Sequence, residues 1–510
     1  MTLQIGLAFW TLLLSWTCLK LGQLVYNVFF HPLRFFPGPR AAQATTWWKT
    51  YIEVVTQESM VDVLIRLHKE FGDIVRVGPN ELHFSKPSAY HEIYNASARW
   101  DKEKTLYKAF GEDHSSFGLL SYAESKPRKD ILQPMFSRRA ILDIQGLVRQ
   151  NFDHLVEAIT KNDAAGKSAD LLLAFRCFTV DTIIDFCFAK SVNAMDEPDF
   201  KAPIVKAMDA SLPTFHLFKH FPLFRKTIFS LPPWLAIKAS PQTAGLTNLQ
   251  TILGKQVQDV TTSPASLRDT PHPTIYNRLL APEFQNGAPI PNSTSLYEEA
   301  QTMVFAGGVT VGDTLMTGHF HVLDQPELYD KLRTEVLRVW PNIDDPPPFE
   351  AFECLKLLTA TIKESLRVSP GATSPLVRIV PSSGAIISGR PIPGGTIVGM
   401  ASTFVHQSEE IFESPEIFNP YRWLSAESKG LDQHLVAFSR GPRSCLGINL
   451  AWCELYIAFA TMLIRFDMKL DGTKVEDLKW RDCFTPYYPG RHLHVWCKPV
   501  KEQSVLGSQQ

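Results

Sequence analysis

One cysteine lies in a sequence context that favours a metal-binding thiolate. Cys445 follows the polar segment FSRGPRS and precedes the apolar run INLAWCELYIAFATMLI, a pattern that predicts a loop, the cysteine and then a helix. The free N–H groups and partial positive charge of a helix N-terminus stabilise a thiolate, and Arg443 adds positive charge nearby. The sequence therefore predicts that Cys445 is an anionic ligand.

The neighbours of Cys445 suit a flat cofactor. Gly441 and Gly447 permit the backbone to approach it closely, and Phe438 can pack against both a ring and the ligand sulfur. Taken alone, any of the eight cysteines is expected to be a small core hydrophobe. A zinc site at Cys445 is disfavoured because no second pair of metal-binding residues lies at a suitable spacing.

The segment from Phe438 to Gly447 matches FxxGxRxCxG at every fixed position. This motif is the heme-binding signature of the cytochrome P-450 family, and the chain is identified as a member of that family. The resemblance implies a b-type heme with Cys445 as the axial iron ligand, whose electron donation favours O–O cleavage. It also implies the family's fold, which is mainly α with small β-sheets.

A second motif of the family, ExxR, is present as Glu364 and Arg367. At this spacing on a helix the two side chains share a face and can form a charge-assisted pair. The resemblance couples this pair to Arg422 in a buried structural network. It also likens Arg378 to the arginine that binds a heme propionate, because a carboxylate at low dielectric needs a fork-shaped partner.

The segment EEAQTMVFAGGVTVGDTL resembles the oxygen-activating helix of the family. Gly307 and Gly308 each weaken a helix by about 1 kcal/mol relative to alanine. The resemblance implies that they form a kink that makes room for O2. The resemblance makes Thr310 the hydroxyl that hydrogen-bonds oxygen and relays protons. Val309 departs from the pattern because an acid is usual there. Asp313 lies one turn on and could substitute for that acid, although a solvated or capping role is favoured.

The segment ESKPRKDILQPMFSRR resembles another region that contacts a heme propionate. Ser125 and Lys129 stand where the family usually has an aromatic residue or histidine and an arginine. Lys129 can still supply a point charge to a propionate. Pro127 is expected to delay the start of the helix.

Hydrophobic periodicity predicts a mainly helical body. Long helical patterns cover 139–159, 296–323, 326–339, 352–368 and 449–466. Residues 74–85 and 384–400 cluster β-branched residues around Gly-Pro turns and are predicted to form a minor sheet. No repeat of fixed period is present.

The first 21 residues are predicted to form a transmembrane anchor, because Lys20 is the first charged residue and the apolar run is long enough to span a bilayer. A cleaved signal peptide is disfavoured by the missing basic n-region. Residues 22–40, with Pro32, Pro37 and Pro39, are predicted to form a stiff connector, and residues 41–510 the heme-binding catalytic domain. The positive-inside rule places this domain on the cytosolic side of the endoplasmic reticulum membrane, with a single span.

Composition excludes some functions. The formal net charge is -1, with 51 basic and 52 acidic side chains, so no basic field attracts nucleic acid. The cysteines are scattered without the density of a disulfide scaffold, which favours a reducing environment.

The resemblance implies a monooxygenase that inserts one atom of O2 into a hydrophobic small molecule. Because no flavin or nicotinamide module follows the signature, NADPH must deliver electrons through a separate flavoprotein reductase. The connector and signature look most like those of anchored fungal members that modify terpenoid, polyketide or alkaloid intermediates in secondary metabolism. Two alternatives stay open: a heme-thiolate isomerase or dehydratase that needs no O2, and a non-catalytic membrane heme-binding protein.

Overall fold

A computed structural model describes residues 2–241, 244–285, 287, 289–425, 428 and 430–500. Helices predominate in these residues, and short strands form four small sheets. The prediction of a mainly α fold with small β-sheets is confirmed.

The α-helices are α1 Thr2–Phe29, α2 Arg40–Ala44, α3 Trp47–Thr50, α4 Met60–Phe71, α5 Pro87–Ile93, α6 Lys104–Tyr107, α7 Tyr122–Leu132, α8 Arg138–Ala164, α9 Leu171–Phe188, α10 Pro203–Ser211, α11 Thr214–His220, α12 Pro222–Ser230, α13 Pro233–Ala239, α14 Ala244–Thr262, α15 Ile275–Leu280, α16 Ser293–Leu323, α17 Pro326–Leu337, α18 Phe349–Glu353, α19 Lys356–Val368, α20 Thr403–His406 and α21 Ile448–Arg465. A π-helix covers Tyr51–Thr56, and short 3-10 helices include Gln133–Phe136, Pro420–Trp423 and Gly441–Arg443.

The strands are β1 Ile74–Gly78, β2 Glu81–Phe84, β3 Asp101–Lys102, β4 Ala169–Asp170, β5 Arg378–Ile379, β6 Ala385–Ile387, β7 Arg390–Ile392, β8 Ile397–Gly399, β9 Phe466–Leu470, β10 Arg481–Cys483, β11 Thr485–Tyr487 and β12 His494–Pro499. The five-stranded sheet has the order β1-β2-β8-β5-β3, so it joins the two segments that were predicted to form a minor sheet. The β1-β2 pair is antiparallel, with Ile74 opposite Phe84.

The long predicted helices are present, but the one predicted over 352–368 is split into α18 and α19. The backbone N–H groups of Leu357 and Leu358 donate to the Glu335 carboxylate, at 3.0 and 2.8 Å. A new helix N-terminus is stabilised in this way because its first N–H groups have no partner within the helix. Glu335 lies on α17, so this break depends on a tertiary contact.

Helix α1 is the candidate membrane span. Its apolar segment Leu7–Phe29 is long and apolar enough to cross a membrane and is not buried in the body. The helix continues to Phe29, so residues 22–29 of the predicted connector are helical and the chain leaves the helix shortly before Pro32. Helix α21 passes the same test of length and hydropathy, but it is mostly buried and is a core helix.

The core of the body is built around α9, α16 and α21, whose residues are buried on nearly all sides. A helix that is apolar all round belongs inside a protein. Gly307 and Gly308 allow α16 to lie close to α9: a Cβ at Gly307 would be 2.9 Å from Ile183 Cγ1, and one at Gly308 2.6 Å from Val180 Cγ2. Helix α16 is continuous across both glycines, so close helix packing is a reason for them that the sequence did not reveal.

Candidate functional site

A cavity of 390 Å³ lies between α16, the N-terminal part of α21 and the loop before Cys445. Most of its lining is apolar, and it includes the four phenylalanines Phe110, Phe117, Phe215 and Phe305. Cys445 and Thr310 both line this cavity. The fold therefore brings the predicted ligand and the predicted oxygen-side hydroxyl to one enclosed space.

The loop that carries Cys445 is held by its own backbone. The Cys445 N–H donates to the Phe438 carbonyl at 2.9 Å, and both residues line the cavity. Gly441 has a φ of +75°, and a Cβ there would lie 2.6 Å from the Asn95 carbonyl oxygen. Glycine is required at position 441 because the backbone is left-handed there and because the residues that follow α5 leave no room for a side chain.

The thiol of Cys445 is exposed to the cavity and otherwise surrounded by protein. Burial raises its pKa, whereas the Gly447 N–H and the charge of Lys129 act to lower it. Lys129 Nζ donates to the carbonyls of Pro442 and Ser444, at 3.0 and 3.3 Å. The charge that faces the thiol therefore comes from Lys129 on α7.

Helix α7 begins at Tyr122 and runs through Pro127, so the expected delay of the helix start is wrong. The Ser121 side chain accepts a hydrogen bond from the Ala123 N–H and caps the helix upstream of the proline. A proline in the second turn removes one intrahelical bond, which the capped helix tolerates here. The early start places Ser125 and Lys129 on the cavity wall.

Arg443 lines the cavity. Its guanidinium donates to the carbonyls of Leu119 and Leu120, at 3.3 and 2.9 Å, and its buried Nε has no partner. Burial, with a contribution from the charge of Arg378, lowers the pKa of Arg443 to about 10. An unpartnered buried N–H on a cation indicates a place for an anionic acceptor.

Arg378 on β5 is directly opposite Lys102 on β3 in an antiparallel pair. Arg378 donates to the Tyr107 hydroxyl at 2.6 Å, and Lys102 Nζ donates to the Phe117 carbonyl at 2.6 Å. Burial and the charges of Arg443 and Arg378 hold the pKa of Lys102 well below its usual range. Sequence reasoning missed Lys102 because only the strand pairing brings it to Arg378.

Lys102, Lys129 and Arg443 line the cavity, and Arg378 lies beside Lys102 without being part of the lining. Among the described residues, none of these four basic groups forms an ion pair with a carboxylate within 4 Å. Grouping uncompensated cations at low dielectric is unfavourable. A heme fits, because its two propionates would compensate these charges and its ring would face the apolar cavity wall.

Thr310 presents its hydroxyl at the cavity wall, where Oγ1 donates to the Ala306 carbonyl at 2.9 Å. Val309, which occupies the usual acid position, is buried and does not line the cavity. The Thr179 hydroxyl of α9 donates to the Gly308 carbonyl of α16 at 2.8 Å. This bond fixes the part of α16 that precedes Thr310 against α9.

Asp313 does not have the expected solvated or capping role. Its side chain is fully buried, and Oδ1 accepts from Arg176 Nε at 3.0 Å and from Nη2 at 2.7 Å, while Oδ2 has no partner. Burial raises the pKa of Asp313 to about 7 against the lowering effect of Arg176. Arg176 also pairs with Asp209, so Asp313 belongs to a buried ion pair between α9, α10 and α16.

The structure brings Glu364, Arg367 and Arg422 together. Glu364 accepts from both arginines, at 2.8 Å from Arg367 Nη2 and 3.1 Å from Arg422 Nε, and from the Trp423 indole at 2.9 Å. Burial alone would raise the pKa of Glu364, but its bonds to Arg367 lower it below the usual value. Arg367 also donates to the His406 carbonyl at 2.8 Å, which ties α19 to α20.

Two carboxyl groups of the cavity wall were not predicted. Glu112 accepts hydrogen bonds from α16. Glu454, on α21, is buried, and burial raises its pKa well above the usual value. A single sequence carries no signal for either residue, because both depend on which loop or helix face meets the cavity.

Comparison with known proteins agrees with this geometry. The family model for cytochrome P-450 matches residues 39–489. The chain is 36% identical to the cytochrome P-450 monooxygenase flvC of Aspergillus flavus, over 95% of both chains. It is 34% identical to the monooxygenase macH of Penicillium terrestre, over 92% of this chain and 93% of that one. It is 31% identical to the tryptophan 6-hydroxylase fscE of Fusarium equiseti, over 92% of both chains.

The chain belongs to the cytochrome P-450 family. Its relatives support the activity of a monooxygenase, an oxidoreductase that uses heme iron and O2 with an electron donor.

Proposed function

We propose that the protein binds heme b with Cys445 as the axial ligand and oxidises a hydrophobic small molecule. The observation that carries this proposal is a thiol exposed to an apolar cavity whose wall includes Lys102, Lys129 and Arg443, with Arg378 beside Lys102, and none of these four forms an ion pair with a described carboxylate. Lys102, Lys129, Arg378 and Arg443 are proposed to hold the propionates.

The bound heme supplies the activation of O2 and the insertion of one oxygen atom, with two electrons and two protons reducing the other atom to water. Phe438 and Gly441 hold the loop in which Cys445 faces the cavity. The apolar wall excludes water and orients an apolar substrate.

Thr310 is proposed to be the residue that passes protons within the cavity. Its O–H donates to the Ala306 carbonyl in this structure, which leaves the Oγ1 lone pairs to accept a hydrogen bond from water, and rotation of the hydroxyl would direct the same proton into the cavity. Val309 supplies no proton, and the carboxylate of Asp313 is occupied by Arg176. Proton delivery is thus proposed to run through Thr310 and water.

Electrons are proposed to come from a membrane-bound, NADPH-dependent flavoprotein reductase. Helix α1 is proposed to anchor the chain in the endoplasmic reticulum membrane with the body in the cytosol, in line with the basic residues that follow the apolar run. The substrate is proposed to be a terpenoid, polyketide or alkaloid intermediate of secondary metabolism. One relative, fscE of Fusarium equiseti, is a tryptophan 6-hydroxylase, and its substrate has an aromatic ring.

Turnover by the holoenzyme in vesicles with a fungal reductase tests the proposal. We expect product formation to require NADPH and to incorporate one atom from 18O2. The missing acid at Val309 favours a second candidate function, an isomerase or dehydratase, for which turnover would proceed without NADPH and without incorporation of 18O into the product.

Thr310→Ala is expected to lower product yield per NADPH consumed. An unchanged yield would contradict the role of Thr310.

A further inference from the structure

Glu112 places a carboxyl group in the wall of the cavity, in the loop between α6 and α7. It is only 2% exposed. Oε1 accepts from Gln301 Nε2 at 3.0 Å, and Oε2 accepts from Thr302 Oγ1 at 2.7 Å. Thr302 lies eight residues before Thr310 on α16, a rise of about 12 Å along the helix axis. The carboxyl is therefore held at a fixed position, well away from the predicted proton-relay hydroxyl.

The other acidic residues near this loop already have partners. Glu298 accepts from the His114 N–H, and Glu299 accepts from the Ser116 N–H and forms an ion pair with Arg128, both at 2.9 Å. These contacts tie the loop to α16. Glu298 and Glu299 do not line the cavity.

Glu112, in contrast, faces the cavity without a cationic partner among the described residues. Lys102 interacts electrostatically with Glu112, but its Nζ donates to the Phe117 carbonyl, and burial with the charges of Arg443 and Arg378 holds its pKa well below the usual range. A buried carboxylate is stable only when it is compensated by hydrogen bonds and charge. Gln301 and Thr302 supply hydrogen bonds to Glu112, and a cationic ligand can supply the compensating charge.

Aromatic rings line the same cavity as this carboxyl. Phe110 lies 4.9 Å from Phe215 and 4.7 Å from Phe484 between ring centroids, and all three rings line the cavity. Gln301 Nε2, which donates to Glu112, also donates to the Phe110 carbonyl at 3.0 Å. One side chain thus joins the acid to the aromatic cluster. Carboxylates and aromatic faces together are the groups by which proteins bind ammonium ions.

We propose that Glu112 is a specificity-determining residue that binds the ammonium group of a hydrophobic amine substrate. This inference rests on the proposed function, because it names the substrate class of the same cavity. A cation satisfies Glu112 better than a neutral hydroxyl does, since it also offsets the repulsion from Glu298 and Glu299.

The test uses three probes with the same twelve-carbon chain and different head groups: dodecyltrimethylammonium, dodecanol and dodecanoate. The quaternary nitrogen has no lone pair and cannot coordinate iron. Equilibrium dialysis of the holoenzyme gives each Kd. We expect the wild type to bind the ammonium probe most tightly and dodecanoate least tightly. If the alcohol or the carboxylate binds as tightly as the ammonium probe, the proposal is overturned without any variant.

Glu112→Gln is expected to weaken binding of the ammonium probe about tenfold, leave dodecanol unchanged and improve dodecanoate binding. Glu298→Gln is the matched control, because Glu298 is a carboxylate of α16 that contacts the same loop but does not line the cavity, and its effect on all three probes should be small. An equal loss for ammonium and alcohol, or no loss, contradicts the proposal.

The carbon monoxide difference spectrum of the same holoenzyme separates the two hypotheses. A thiolate-type spectrum with no head-group preference overturns the role of Glu112 alone. The absence of a thiolate-type spectrum overturns the proposed function.

Discussion

Lys102 and Arg378 are directly opposite each other across the antiparallel strands β3 and β5. Side chains of opposed residues project from the same face of a sheet, so two positive charges lie side by side where Lys102 lines the cavity. Both side chains are buried. A pair of like charges in such a position is unfavourable until an anion joins it.

We therefore expect Lys102→Met to stabilise the heme-free protein and to weaken its affinity for heme, on the order of tenfold. Heme transfer to apomyoglobin measures the affinity, and urea unfolding of the heme-free protein measures the stability. Lys104→Met is the matched control, because Lys104 is exposed two residues away. If Lys102→Met leaves heme affinity unchanged, Lys102 does not hold a propionate.

Glu364 carries the buried ion network, and its side chain is fully buried. Glu364→Gln keeps the shape but leaves the charges of Arg367 and Arg422 without a counter-charge. We expect a loss of about 3–5 kcal/mol in the free energy of unfolding. Glu353→Gln, which removes a partner of the exposed Arg138, is expected to cost less than about 1 kcal/mol. Similar losses for both variants would show that the network has no special role.

The structure shows which parts of this network the sequence could predict. Glu364 and Arg367 were predictable because their spacing on one helix fixes their geometry. Their bonds to the Trp423 indole and the His406 carbonyl depend on how distant segments fold over α19. Periodicity likewise predicted a helix over 352–368, but the break before α19 depends on Glu335 of another helix.

The same distinction holds at the candidate site. Cys445 was predictable because its signature is contiguous in the chain. Lys102 was not, because the short strand that carries it is defined only by its pairing with β5. The true partner of Asp313, Arg176, comes from α9, and no local pattern connects the two residues.

Gly308 is expected to be intolerant of a side chain. A Cβ there would lie 2.6 Å from Val180 Cγ2, so Gly308→Ala is predicted to cost about 1–3 kcal/mol through overpacking. Gly146→Ala is the control: Gly146 lies on the exposed face of α8, where an added Cβ would have no neighbour within 4 Å, and helix propensity predicts a gain of up to about 1 kcal/mol. Urea unfolding distinguishes the two, and a gain at Gly308 would contradict the close packing of α16 on α9.

Binding of the ammonium probe is expected to depend on pH. Burial raises the pKa of Glu112 to about 8, with contributions from Glu298 and Glu299; Lys102 and Tyr297 are the other titratable groups that interact with it. The cation prefers the ionised carboxylate, so protonation competes with binding. Affinity should rise by up to about tenfold per pH unit below pH 8 and level off above it.

Glu112→Gln should remove this pH dependence, and dodecanol should bind equally at every pH. The quaternary probe does not titrate, so any change must come from the protein. The pKa of about 8 for Glu112 makes the interval from about pH 6.5 to about pH 8.5 the informative one. If the affinity of the wild type for the ammonium probe stays constant over this interval, Glu112 does not act as the counter-charge.

The central claim is that Cys445 is the thiolate ligand of a bound heme. It is tested most directly by the carbon monoxide difference spectrum of the reduced holoenzyme, compared among the wild type, Cys445→Ala and Cys483→Ala, since Cys483 also lines the cavity. We predict a strongly red-shifted Soret band in the wild type and in Cys483→Ala and its loss in Cys445→Ala. A red-shifted band that survives Cys445→Ala, or a histidine-type spectrum in the wild type, would contradict the claim.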